Sequence, residues 1–122
     1  MTLDEYNAYC STFAFSEHVV QWGGSDVWKV DGKLFAVAYV KADGKLRVTF
    51  KASEIAFAIL QEKEGVIPAP HLASRGMKWL QNIGVNGLSD SELRALISDS
   101  YDMAVQRLTK KRRKELGLGE SE

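Results

Sequence analysis

Two Asp-Gly dipeptides, Asp31-Gly32 and Asp43-Gly44, constrain the fold of this chain more than any other feature. Each stands between runs of β-prone residues. Asp-Gly in that setting marks a two-residue type I′ hairpin, because both central residues need positive φ. Residues 27–30 and 33–41 flank the first pair, and 45–51 follow the second. Residues 18–22 read as one more short strand, broken from the next by Gly23-Gly24. The pattern predicts a four-stranded antiparallel meander.

A two-residue loop also predicts a register. With Asp43-Gly44 as the loop, Ala42 pairs with Lys45, Val40 with Arg47, Ala38 with Thr49 and Ala36 with Lys51, while Tyr39 meets Val48 and Val37 meets Phe50. The same rule at Asp31-Gly32 sets Trp28 opposite Phe35. One face is then large and apolar: Trp28, Phe35, Val37, Tyr39, Leu46, Val48 and Phe50. The other carries Lys29, Lys45, Arg47, Thr49 and Lys51, and is expected to stand open to solvent or a partner.

Helices flank the meander. Thr2 to Glu5 and Ser89 to Glu92 have capping-box spacing, in which side chains at both ends satisfy orphan backbone donors. The first precedes an apolar stripe, Leu3, Tyr6, Cys10 and Phe13, and predicts a helix over 3–13. The second precedes Leu93, Leu96, Ile97, Tyr101, Ala104 and Leu108. Ser53 opens a helix expected to end near Glu64-Gly65. Residues 66–76, with two prolines and a glycine, read as a loop, and 77–82 as a fifth strand. The fold class is α+β: a two-layer domain with helices on one face of an antiparallel sheet.

Charge is distributed unevenly. The net formal charge is zero, but residues 1–106 hold ten cations against thirteen acids, a net of −3. Arg107, Lys110, Lys111, Arg112, Arg113 and Lys114 then place six cations in eight residues, and 115–122 add three acids. This divides the chain into a single domain over 1–109 and, over 110–122, a basic helix end with an acidic tail. The segment 110–115 is charged on every side and is not expected to dock on a core. One or two cations suffice to meet the negative end of a helix dipole. Six exceed that need and favour an anionic partner.

Catalytic chemistry is not apparent in the sequence. Cys10, His18 and His71 are too dispersed for a metal site, and no metal or cofactor is expected. No nucleophile elbow, Walker loop or dinucleotide fingerprint is present, so no catalytic residue is assigned. His18, Trp22, Arg75 and Trp79 are candidates for a small pocket. The lone cysteine points to a reducing compartment. Met1 to Glu5 is not the start of a signal peptide, and no apolar run reaches membrane-spanning length. A cytoplasmic protein without membrane association, monomeric or weakly dimeric, is expected.

Several segments together resemble the MmcQ/YjbR family: HVVQWGGSDVWKVDGKLFAV (18–37), VTFKAS (48–53), PAPHLASRGMKWL (68–80), LSDSELRALISDSYDMA (88–104) and LTKKRRKELGL (108–118). The QWGG-x-x-VWKV-x-GK and SRGMKW blocks are the most specific parts. His18, Trp22, Trp28, Lys51, Pro68, Pro70, Gly76 and Trp79 match the family's signature segments. The resemblance implies a fold similar to type III secretion chaperones and the CyaY-like group. It also implies a DNA-binding role through a proposed double-wing motif, and it brings no catalytic residues. Two readings follow. One is a non-enzymatic DNA-binding domain using Arg107 and Lys110 to Lys114, with Lys45, Arg47 and Lys51 on the sheet. The other is a protein-interaction or chaperone-like adaptor using the open sheet face or an edge strand.

Overall fold

The computed structural model describes residues 1–70, 77–84 and 86–118. They form α1 (Leu3–Cys10), β1 (Ser16–Gln21), β2 (Ser25–Val30), β3 (Lys33–Val40), β4 (Leu46–Lys51), α2 (Glu54–Leu60), β5 (Val66–Pro68), β6 (Trp79–Asn82), α3 (Asp90–Gln106) and α4 (Lys110–Leu116). The strands build one antiparallel sheet in the order β1-β2-β3-β4-β6-β5. Helices pack against it, as the α+β reading requires.

Local signals place the helix starts. Both capping boxes form: Thr2 with Glu5 opens α1, and Ser89 with Glu92 opens α3. Ser53 accepts from the Ala56 N–H and opens α2. Helix ends come earlier than the sequence predicts. The first helix stops at Cys10, yet Phe13 still stacks on Tyr101 with ring centroids 4.6 Å apart and meets Phe35 edge-on at 5.6 Å. The second stops at Leu60 rather than near Glu64-Gly65, and the third at Gln106 rather than Leu108. Part of the expected 66–76 loop is strand β5. A proline is tolerated there because an edge strand leaves some N–H groups unused. Residues 71–76 lie outside the described residues.

The turn at Asp31-Gly32 is as predicted, with φ of 47° and 80° and Val30 facing Lys33. The register elsewhere is not. At the second hairpin the Lys41 N–H donates to the Lys45 carbonyl and the Gly44 N–H to that of Lys41. The loop therefore holds three residues, Ala42 to Gly44, and only Gly44, at φ 82°, is left-handed. Three-residue hairpins close in this way, with a turn followed by one left-handed residue. Pairing moves by one: Val40 meets Leu46, Tyr39 meets Arg47, Ala38 meets Val48, Val37 meets Thr49 and Ala36 meets Phe50. A second slip occurs in β3, where Lys29 faces Leu34 but Trp28 faces Ala36, leaving Phe35 as a bulge residue.

A one-residue slip in a strand reverses its faces. The helix-covered face carries Trp28, Val30, Ala36, Ala38, Val48, Phe50 and Leu80, with Phe35 joining them through its bulge. Tyr6, Cys10, Leu93, Ile97, Tyr101 and Ala104 of the helices close the core. Burial pushes the Cys10 thiol up to about 12, which leaves it an inert packing group. Of the apolar residues expected on the core faces of sheet and helices, Tyr39, Leu46 and Leu96 are only half-buried. Val37 and Tyr39 lie on the second face with Val27, Arg47, Thr49 and Gln81.

Candidate nucleic-acid interface

The sheet was one of two basic surfaces expected from sequence; Arg47 and Lys51 do lie on the face opposite Phe50, but the register sets apolar side chains of β3 beside them. Val27, Val37, Thr49, Gln81 and Trp79 on the second face are buried, so that face is not an open basic plane. The slip adds Val37 and Tyr39 to this face. Gln81 Nε2 donates to Thr49 Oγ1 at 3.2 Å and meets the Tyr39 hydroxyl at 3.5 Å, forming a polar row across three strands. Arg47 is committed within the fold. Its side chain is 14% exposed, its NH1 donates to the Ile83 carbonyl, and its NH2 pairs with Asp43 Oδ2 at 3.1 Å. The Lys45 N–H first, and then Arg47, hold the Asp43 carboxyl below its ordinary range. Lys51 is half-buried, and Lys45 alone of the three is exposed.

The other surface survives in part. Thr109 starts a new helix by accepting from the Arg112 N–H at 3.0 Å, and Gly117, at φ 73°, ends it. No residue of this helix is buried in the core, yet Arg112 reaches Asp31 in the β2–β3 turn through two bonds, Nε at 2.9 Å and NH2 at 3.0 Å. That guanidinium holds the Asp31 carboxyl below its usual range. Arg112 also meets Glu115 at 3.2 Å. Arg113 is half-buried and donates to Gln106 Oε1 at 3.0 Å. Among the described residues, Arg107, Lys110, Lys111 and Lys114 are exposed and form no salt bridge.

Position along the helix separates these four. Arg107 caps the C-terminus of α3, and Lys114 lies in the last turn of α4. Both meet the negative end of a helix dipole, which gives them a stabilising role of their own. Lys110 and Lys111 occupy the first turn of α4, which contains no acid. A cation there opposes the positive end of the dipole, at a cost of about 0.3–1 kcal/mol each. Local stability does not account for these two lysines.

Among the described residues, His18, Trp22 and Trp79 of the expected pocket are not brought together. His18 Nε2 lies 2.8 Å from Asp26 Oδ1, and its ring stacks on Trp28 with centroids 4.7 Å apart. Asn7 completes the network, accepting from Trp28 Nε1 at 2.8 Å and donating to Asp26 at 3.3 Å. Asp26 and Asn7, missed in the sequence, thus bind His18 into the contact between α1 and the sheet. Trp22 is 61% exposed at the end of β1, whereas Trp79 is 1% exposed on β6. Strands β2, β3 and β4 separate them. Arg75 and His71 lie outside the described residues. Among the described residues no three metal-capable side chains cluster, and no helix is long and apolar enough to cross a membrane.

A family model described as YjbR matches residues 11–103. No curated protein sequence matches the chain. Among solved structures, a Deinococcus radiodurans protein with the family-model domain DUF419 is similar at a TM-score of 0.85 and 23% identity, over 99% of this chain and 91% of that one. A Pseudomonas syringae protein solved by a structural genomics consortium is similar at a TM-score of 0.67 and 20% identity, over 85% of this chain and 99% of that one. At these identities the likeness is one of fold.

Proposed function

The chain belongs to the YjbR family, and from that premise we propose that it is a non-enzymatic domain that binds duplex DNA through phosphate contacts centred on α4. The observation that carries this reading is the pair Lys110 and Lys111 at the start of α4, exposed and on the wrong end of the dipole for stability. Arg107 and Lys114 extend the same exposed cluster. Four free cations, on a body whose first 106 residues carry a net charge of −3, form a local electrostatic footprint and not a general field. Contacts of this kind position a protein on DNA without reading bases, so sequence preference is weak.

The test is a titration of duplex DNA at several salt concentrations. Each neutralised phosphate contributes about −0.9 to the slope of log affinity against log salt, so four contacts give a slope of about −3.6. A Lys110→Ala, Lys111→Ala, Lys114→Ala variant keeps Arg107 and should retain a slope of about −0.9. Equal slopes for the two proteins, or no binding at low salt, would remove the proposal. The adaptor reading has lost the open sheet face and rests instead on the outer edge of β1.

A further inference from the structure

The sheet has two edges, β1 and β5, and they are protected very differently. Strand β5 has three residues and ends in Pro68, which offers no N–H. Short edges and edge prolines are the ordinary defences against pairing with another chain. Strand β1 has six residues, Ser-Glu-His-Val-Val-Gln, without Lys, Arg, Pro or Gly, and its register with β2 is unbroken throughout. Its two ionisable side chains are exposed, yet each is bonded within its own chain. Glu17 Oε1 accepts from the Gly32 N–H at 3.2 Å, and His18 is held between Asp26 and Trp28. Beside them the edge presents a row of alternate backbone N–H and C=O groups, with Val19, 40% exposed, and Val20, 59% exposed, on opposite faces of the sheet.

We propose that β1 is a self-association edge, on which a second copy of this chain pairs its own β1 antiparallel about a two-fold axis at Val19. A two-fold axis perpendicular to the sheet maps each face onto itself. Opposed residues must then share a face, so their numbers must sum to an even value. The register centred on Val19 sets Val19 against Val19 of the partner subunit, His18 against Val20 of the partner subunit, and Glu17 against Gln21 of the partner subunit. Val19 meets its own copy at the axis, Val20 stacks beside the His18 ring across it, and no like charges oppose one another. Centring on His18 instead leaves Val20 against Ser16 of the partner subunit. The blocked β5 edge stops growth, so the assembly closes at two copies. Six residues at ~3.3 Å rise give a contact line of roughly 20 Å. That falls short of the ~800 Å² per partner of a standard interface, so the dimer depends on concentration.

The experiment is sedimentation velocity on the full chain from about 10 µM to about 1 mM, the range in which small interfaces associate. It compares the wild type with Val19→Lys, which sets two ammonium groups face to face at the axis, and with Val40→Lys, at an exposed valine away from the edge. Concentration-dependent dimers in the wild type and in Val40→Lys, with a monomer in Val19→Lys, support the proposal. Slower amide exchange at residues 17–21 at high concentration supports it further. A wild type that stays monomeric throughout overturns it, even if β1 accepts a strand from another protein. Dimers that persist in Val19→Lys, or vanish equally in Val40→Lys, also overturn it. None of these outcomes bears on DNA binding by α4.

Discussion

On the sheet, Arg47 commits its guanidinium to Asp43 and the Ile83 carbonyl, whereas on α4 Lys110, Lys111 and Lys114 carry ammonium groups that no described acid meets. Both regions look equally basic as sequence. They differ in what the fold asks of each charge. On the second sheet face, neighbouring bulk strips water from Arg47, and a partly desolvated cation must find partners within the protein. On a seven-residue helix tied to the body through Arg112 and Arg113 and followed by Leu118 against the core, the three lysines stay exposed. An anionic partner can use the second kind of charge and not the first.

The sharpest way to break this comparison is to remove the free charges and keep the held ones. Raising salt from 50 to 200 mM should weaken DNA binding by the wild type by about 150-fold, and binding by the triple lysine variant by about 3.5-fold. Thermal unfolding of that variant should be unchanged or slightly improved, since Lys110 and Lys111 oppose the dipole. Arg47→Ala should do the reverse. It should lose about 2 kcal/mol of stability, because charged hydrogen bonds to Ile83 and Asp43 go and their acceptors remain, while the salt slope stays at the wild-type value. A denaturant titration and a salt titration on the same two proteins check both halves. A flatter salt slope in Arg47→Ala would place the sheet back in the interface.

A smaller effect probes the turn that decided which cations are held. Gly44 sits at φ 82°, and open space surrounds the position of an added Cβ. Gly44→Ala therefore meets no clash, and its cost is the left-handed backbone alone, about 1 kcal/mol. A loss above about 3 kcal/mol in denaturant unfolding, beyond what backbone strain supplies, would show that the space beside Gly44 is not open.

Much of this fold was readable from residues that act locally. The two capping boxes and the Asp31-Gly32 turn depend on neighbours in sequence, and they formed as predicted. Asp43-Gly44 carries the same signature, yet it closes a three-residue loop, because Ala42 can join the loop at no steric cost and only the glycine must be left-handed. The Phe35 bulge was not legible: Leu-Phe-Ala-Val-Ala-Tyr-Val over 34–40 is apolar without alternation, so nothing in it marks a change of face. The basic run was plain in the sequence. Which of its members were free was not, since the acid that holds Arg112 lies 81 residues away at Asp31.

That long-range pair allows the smallest test of the comparison, the conversion of a held cation into a free one. Arg112 lowers the pKa of Asp31 in the folded protein. A carboxyl with a depressed folded value stabilises the fold above its unfolded pKa and loses that contribution as pH falls through the folded one. The tie between α4 and the β2–β3 turn should thus be complete at neutral pH and released only in acid, below the ordinary carboxylate range. Amide exchange over 110–116 should quicken there while the core of the sheet stays protected. At neutral pH, Asp31→Asn with Glu115→Gln removes both partners of Arg112. This variant should show the quickened exchange without acid, and the pH dependence should disappear. The freed guanidinium is then available to phosphate, so the salt slope should steepen by about 0.9, one additional contact. An unchanged slope together with a loosened helix would mean that α4 must be fixed to the body before its charges can meet DNA. Holding Arg112 would then be part of the interface, and the division between held and free cations would fail at that residue.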